Sequence, residues 1–458
     1  MVDESLNKAL TDATAGSVGP ASIAMKRALA VTASARWDLT SRFPLIFDRA
    51  SGPYVWDVDG KKYVDFTSCS GAAPLGAGHP DVERRVITEM RRSGGIFPGT
   101  LTELRTSVAE RLIDLFPSAE RAIFFRTGSC ATTAAVRLAR VFTGRRLVLT
   151  SGFHGWHDWQ LQYKPEMDLA DRDPETVDFA YDLDRLEDLL TRQARKVAAV
   201  IVTPEVNFFP PEHMRRLEQL TAEHDAIFIL DEIITAFRYA IGGYQCAAGL
   251  HPDLTTISKG LANGTALSAV IGRAKVMRAQ ERTYLGNTFQ REATPYSAAI
   301  ASLDVMSDPR FIPQMHAIGA RLMNGLNKVF SNAGVAAAAF SHSAAFHVVF
   351  EDEELGRLLY GGLRERGFLA EYGGTHMVSH ATSEQDVDEA LEAAADLLAE
   401  ATSKHGPIRN ERGSMTMGIW SPIVPFAKRA FGATSKTTTS WWPIARGNRW
   451  MGIPSTTI

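Results

Sequence analysis

Cysteine is scarce in this chain, and neither sign of charge dominates. Only Cys69, Cys130 and Cys246 occur among 458 residues, which argues against a disulfide framework and favours a reducing compartment. The net charge of −3 gives no electrostatic footprint for nucleic acid or an anionic membrane. No apolar run approaches the roughly 20 residues that span a bilayer, and polar residues 1–20 lack a signal-peptide core. We therefore expect a cytosolic enzyme with no metal centre.

The length and composition are those of a globular protein with more than one domain. The chain is 45% apolar and 22% charged, and 458 residues are too many for one hydrophobic core. Composition and pattern shifts predict a lead-in at 1–35, part of a smaller domain at 36–80, and a large domain at 81–309. The rest of the smaller domain follows at 310–405, and a Trp-containing tail of unknown role occupies 406–458.

Short apolar runs alternate with helical stretches between about residues 80 and 305. They are apolar nearly throughout, which is typical of strands buried on both faces of a mostly parallel sheet. The predicted strands are 122–125, 147–150, 197–202, 226–230, 254–257 and 268–271. Earlier, 53–66 predicts two short strands around an Asp-Gly turn. The fold class is therefore α/β, with ligands expected beyond the carboxyl ends of the strands.

Several polar residues follow the predicted strands. Gly128 and Ser129 begin a helix after strand 122–125, where free N–H groups and the helix dipole suit a phosphate, although Gly-Ser is also an ordinary helix start. Asp231 and Glu232 end a buried strand and are either working carboxylates or solvated loop acids.

Lys259 lies between a strand and a glycine-rich loop. A lysine is ordinarily a solvated surface charge, but a desolvated one can act as a Schiff-base nucleophile. The glycines around Phe153 and His154 permit a sharp turn that presents an aromatic face. Taken alone, those two side chains would be structural.

Taken together, these segments resemble the class III aminotransferases that use pyridoxal 5'-phosphate (PLP), and most closely the glutamate-1-semialdehyde aminomutase-like branch. The resemblance covers about residues 36–400, and its segments keep the family's order and spacing. They are residues 54–60, 128–140, 153–159, 231–238, 242–245 and 252–264. It implies the fold type I architecture, with a large domain around a mostly parallel sheet and a smaller α+β domain.

The resemblance also implies a role for each matching residue. Lys259 would hold PLP as a Schiff base and move protons, while Asp231 would pair with the pyridine nitrogen and keep it protonated. The other cofactor contacts would be a phosphate-binding helix start, two residues on the ring faces and a histidine: Gly128, Ser129, Cys130, Phe153, Ile233 and His154. Thr288 resembles a threonine that reaches the phosphate of the neighbouring subunit, which implies a homodimer with shared sites.

Candidate substrate contacts are Arg36 and Glu205. Arg36 falls where the aminomutase branch keeps a carboxylate-binding arginine, and a guanidinium suits a bidentate carboxylate, although a surface arginine in a mobile segment fits equally well. Four positions depart from the family pattern: Cys130, Thr203, Ala236 and Ser258. These differences indicate a divergent substrate rather than lost cofactor chemistry.

The predicted activity is transfer of an amino group from an amino-acid donor to a carbonyl acceptor, with the cofactor cycling between pyridoxal and pyridoxamine forms. An intramolecular 2,1-aminomutase is the first alternative. A non-catalytic PLP-binding or assembly protein is the second, although the presence of both Lys259 and Asp231 argues against it. A lyase or racemase on the same fold also stays open.

Overall fold

A seven-stranded sheet forms the centre of the computed structural model, which describes residues 20–35, 38–39, 43–163, 173–204 and 209–405. The strand order is β4-β10-β9-β8-β7-β5-β6. The pairings of β10 with β4 and β9 are antiparallel, and the others are parallel. The strands are β4 (Arg121–Phe125), β5 (Leu147–Ser151), β6 (Thr176–Asp178), β7 (Val197–Val202), β8 (Ile227–Asp231), β9 (Leu254–Ile257) and β10 (Ser268–Gly272).

Helices cover the sheet on both faces, as the apolar strand sequences predict. All six residues of β7 are buried, and they alternate between two apolar clusters, with Ile201 on one face and Val200 and Val202 on the other. The helices are α1 (Pro20–Val31), α2 (Pro80–Ser93), α3 (Glu103–Leu115), α4 (Gly128–Thr143), α5 (Leu183–Arg192), α6 (Pro211–Glu223), α7 (Gly243–Ala248), α8 (Ala274–Met277), α9 (Thr294–Met306), α10 (Phe311–Asn332), α11 (Glu353–Glu365) and α12 (Glu384–His405). The predicted α/β class is confirmed.

A second sheet joins the two ends of the described chain. It has the order β1-β2-β3-β13, from β1 (Phe47–Ser51), β2 (Tyr54–Asp57), β3 (Lys62–Asp65) and β13 (Phe368–Leu369). The predicted turn between β2 and β3 is closed by Asp57, whose Oδ1 accepts from the N–H groups of Asp59 and Lys61 at 3.0 and 2.9 Å. A separate hairpin pairs β11 (Ala337–His342) with β12 (Ala345–Phe350).

None of the helices in the described ranges is both long and apolar enough to cross a bilayer.

Candidate active site

Five loops meet at one edge of the central sheet because the parallel strands that precede them end there. The loops follow β4, β5, β7, β8 and β9. The register between β8 and β9 places the ends of these two strands side by side. Asp231, the final residue of β8, pairs with Thr256 of β9, and Lys259 comes three residues later in the chain. This edge therefore brings together Lys259, Asp231 and the segments that carry Gly128, Phe153 and Ile233.

The Asp231 carboxylate is buried and its two oxygens have separate partners. His154 Nδ1 lies 2.7 Å from Oδ2, while Thr256 Oγ1 donates to Oδ1 at 3.0 Å. The N–H of Ile233 also donates to Oδ1, at 3.2 Å. These contacts fix the plane of the carboxylate.

His154 supports Asp231 from a buried position. Its ring stacks on Trp159 with an interplanar angle of 10°, and its backbone N–H donates to Gln160 Oε1 at 3.3 Å. Thr203 Oγ1 lies 3.4 Å from His154 Nδ1 and donates to the carbonyl of Phe153 at 3.1 Å. The loop after β5 is thus locked onto the ends of β7 and β8.

Lys259 occupies a constrained backbone position. It is partly buried and begins a short 3-10 turn, Lys259–Ala262, with a φ of +40°. A positive φ is costly for a residue with a side chain and is frequent at functional sites. The turn is fixed to the loop after β3 because the Asn263 side chain bonds the N–H of Leu75 and the carbonyl of Gly76 at 3.0 and 2.8 Å.

The start of α4 forms a narrow cradle. Thr127 caps the helix by accepting from the N–H of Cys130, and Gly128 and Ser129 provide the first two helical N–H groups, which have no acceptor within a helix. A Cβ on Gly128 would lie 2.6 Å from Ile233 Cδ1, and one on Gly155 would lie 2.3 Å from Ser129 Oγ. Both positions therefore need glycine for the three loops to approach so closely.

These residues fit PLP. An acidic partner, a lysine, a helix start with open N–H groups and an apolar side chain at Ile233 supply what a charged, aromatic, phosphorylated ring requires. Phe153 is half exposed at the same edge, and Thr288 is exposed at the start of the turn Thr288–Arg291. Arg36 and Glu205 lie outside the described residues.

Sequence reasoning assigned no structural role to three polar residues of this site. Thr256 and Thr203 orient Asp231 and the loop of His154, and Arg126 binds the Thr288–Arg291 turn. Arg126 could have been found from the sequence because it is a polar residue directly after strand β4. Asp231 and Glu232 were singled out for the same kind of position at the end of β8.

Comparison with known proteins identifies the family. The profile "Aminotransferase class-III" matches residues 37–338. A 2'-deamino-2'-hydroxyneamine transaminase from Streptomyces kanamyceticus is 35% identical over 378 residues, which are 82% of this chain and 96% of that protein. A glutamate-1-semialdehyde 2,1-aminomutase from Methanothrix thermoacetophila is 32% identical, over 67% of this chain and 76% of its own length.

A solved structure agrees. The PLP internal aldimine form of the FumI protein of Sphingopyxis sp. MTA144 has a TM-score of 0.74 and 25% identity, and the match covers 80% of this chain and 90% of that one. The fold type I architecture, the aminotransferase activity and the PLP cofactor predicted from the sequence are thereby confirmed. The chain belongs to the class III aminotransferase family of PLP enzymes.

Proposed function

We propose that Lys259 and Asp231 are the catalytic residues of a two-step transamination. The observation that carries this proposal is their placement on adjacent strand ends, with Asp231 buried and held by His154 and Thr256. When bound, PLP supplies an aromatic ring that accepts electrons while the amino group leaves one carbon and joins another. Lys259 Nζ would take the proton from the donor carbon and pass it to the cofactor, and in the second half-reaction it would carry a proton from the cofactor to the acceptor carbon.

Asp231 keeps the proton on the ring nitrogen. A nearby carboxylate raises the pKa of a basic group by about 1–3 units, so the charge of Asp231 matters as well as its hydrogen bond. Gly128 and Ser129 would bind the phosphate through N–H groups at the start of α4, and Phe153 and Ile233 would hold the ring between them. Cys130 cannot offer its N–H, because Thr127 already accepts from it.

A neamine-type carbonyl compound is the acceptor we infer. The support is the relative from S. kanamyceticus, whose name specifies 2'-deamino-2'-hydroxyneamine and whose match spans 96% of its length.

Because donor and acceptor use the same site in turn, plots of reciprocal rate against reciprocal donor concentration at several acceptor concentrations should be parallel. Intersecting lines would contradict alternate binding.

An intramolecular 2,1-aminomutase is the second candidate. It is favoured by the relative from M. thermoacetophila, which carries that activity in its name at 32% identity. A mutase turns over an amino-aldehyde without added donor and releases no keto acid. Measuring keto-acid release with and without donor therefore separates the two candidates.

A homodimer with shared active sites is also part of this proposal. Five large apolar side chains are exposed on segments that bond to α4, to Arg126 just before it, or to the turn Thr288–Arg291 and the residues that follow it: Ile96, Leu101, Trp156, Tyr284 and Phe289. We call this group the apolar patch. Leu101, Tyr284 and Trp156 are 85%, 80% and 75% exposed, and such clusters ordinarily mark protein interfaces. A second subunit on this patch would lie next to Thr288.

The three cysteines, all unpaired, support a reducing compartment such as the cytoplasm.

Replacement of Lys259 tests the catalytic assignment. Lys259→Ala is expected to lose the absorbance band of lysine-bound PLP and all turnover while its melting temperature stays near that of the wild type. Lys275→Ala is the matched control, because Lys275 is exposed on α8 and its loss should change neither readout. Turnover by Lys259→Ala at the wild-type rate would exclude the proposed mechanism.

A further inference from the structure

The Arg126 side chain holds backbone from two distant parts of the chain. Its Nη2 donates to the carbonyl oxygens of Phe289 and Glu292, the second at 3.3 Å. Its Nη1 donates to the carbonyl of Ala266 at 3.2 Å. One guanidinium therefore joins the end of β4 to the loop before β10 and to the turn Thr288–Arg291.

The Arg126 guanidinium is largely buried, which is unfavourable for a charged group. Its side chain is only 12% exposed, and burial lowers its pKa below the ordinary value, although a guanidinium stays charged at neutral pH. The Glu292 carboxylate is 3.5 Å from Nη2, and Nε has no hydrogen-bond partner among the residues that the structure describes. Because the hydrogen bonds of this buried cation go mainly to backbone carbonyl oxygens, its structural effect is to hold in place the backbone segments that carry those carbonyls.

The backbone held in this way carries Thr288. The same turn is fixed from its other side, where Gln290 Nε2 donates to the carbonyl of Phe124 at 2.6 Å and Tyr296 OH donates to the carbonyl of Gln290 at 3.1 Å. Arg126 stands two residues before Gly128. It therefore links the helix start that binds phosphate in its own subunit to the turn that carries Thr288.

We propose that Arg126 is a positioning residue that presents Thr288 to the cofactor phosphate of the second subunit. The proposal rests on the shared active sites proposed above. Arg126 itself touches no cofactor and acts through the carbonyls of Phe289 and Glu292. Lysine at this position would keep the charge but would lose the planar fork that reaches several carbonyls at once.

Binding of PLP and of pyridoxal, which lacks the phosphate, to the apo-homodimer gives the first test. Arg126→Lys is expected to weaken PLP binding about tenfold, as for a lost hydrogen bond to a charged group, and to leave pyridoxal binding unchanged. Arg137→Lys is the control, because Arg137 is exposed on α4 and donates to the carbonyl of Tyr284 at 3.2 Å. Equal losses for both ligands, or full PLP affinity in Arg126→Lys, would overturn the proposal.

Mixed dimers with two affinity tags show in which subunit Arg126 acts. When an Arg126→Lys subunit pairs with a Lys259→Ala subunit, the one site that retains Lys259 takes Thr288 from the subunit with Arg126 intact. We expect the PLP affinity of that site to equal that of a wild-type subunit paired with Lys259→Ala. When both changes are in one subunit and its partner is wild-type, we expect the tenfold loss. The opposite pattern would mean that Arg126 acts within its own subunit.

The same pairings test the shared site separately. Thr288→Ala should follow the Arg126→Lys pattern, whereas Asp231→Asn, which removes the charge beside the ring nitrogen, should weaken the site only from within its own subunit. If Thr288→Ala also acts within its own subunit, the shared-site proposal is wrong. If Thr288→Ala behaves as expected and Arg126→Lys does not, only the role of Arg126 is wrong.

Discussion

Asp231 depends on partners that are far apart in the sequence. His154 precedes it by 77 residues and Thr256 follows it by 25. Each carboxylate oxygen is held by a different group, so the carboxylate has one orientation before any ligand arrives. Preorganisation of this kind saves the cost of arranging a charged group during the reaction.

Substitution of His154 is expected to weaken this arrangement. His154→Ala removes a charge-assisted hydrogen bond, which contributes about 1.5–3 kcal/mol, so PLP affinity and kcat should fall about 10–100-fold. His154→Asn should recover most of the loss because the asparagine amide nitrogen can take the place of Nδ1. The measurements are PLP titration of the apoenzyme and steady-state kinetics. Equal losses in the two variants would assign the effect to stacking on Trp159 instead.

The sequence identified Asp231 and His154 as separate candidates but not as partners. A residue's position after a strand can be read locally, since apolar runs end where polar residues begin. Contacts between loops depend on strand order, and nothing local in the sequence places β5 and β7 between β6 and β8. The clamp from Arg126 to the carbonyl of Phe289, across 163 residues, was missed for the same reason.

Among the elements, buried strands were predicted best. The structure has β7 at Val197–Val202 and β9 at Leu254–Ile257, the predicted bounds, because both are continuous β-favouring runs. The hairpin β11–β12 was missed because its first strand is rich in alanine, a poor strand former.

That hairpin and its neighbours carry two buried histidines that should make the fold sensitive to acid. Burial lowers the pKa of His347 to about 4 and that of His376 to about 3. His376 Nε2 lies 2.7 Å from the hydroxyl of Tyr360 on α11, and its backbone pairs with Phe346 of β12. Protonation of either ring in the folded state would place a charge among apolar neighbours.

The direction of the pH effect follows from proton uptake. The unfolded chain binds a proton at each histidine near pH 6.5, whereas the folded chain does so only near pH 4 or 3. Stability is therefore complete above about pH 6.5 and falls with acidification, by about 2 kcal/mol per histidine at pH 5. Urea unfolding at pH 7 and pH 5 should show a smaller difference for His376→Gln than for the wild type.

A change at an exposed histidine serves as the control for this experiment. His251 is exposed in the folded chain, so His251→Gln should leave the difference between pH 7 and pH 5 as it is in the wild type. If His376→Gln retains the full difference as well, the acid sensitivity arises elsewhere.

At the scale of the whole molecule, less of the structure could be predicted from the sequence. The division at 36–80, 81–309 and 310–405 stays a prediction, which the pairing of β3 with β13 supports because it joins the first of these segments to the last. The tail at 406–458 lies outside the described residues. The apolar patch could not be read from the sequence because its members are scattered between residues 96 and 289, and their exposure is a property of the fold.

Disrupting the apolar patch should separate the subunits and weaken cofactor binding together. Leu101→Asp combined with Tyr284→Asp places two charges where a second subunit would bury them, and an unpaired buried charge is strongly unfavourable. We expect sedimentation analysis to show a shift towards monomer. PLP affinity should fall in parallel, because a monomer lacks the second subunit's Thr288. Leu358→Asp is the matched control, since Leu358 is 56% exposed on α11, outside the patch, and should remain dimeric with normal PLP affinity. A monomeric double variant that binds PLP as tightly as the wild type would show that each subunit holds a complete phosphate site of its own.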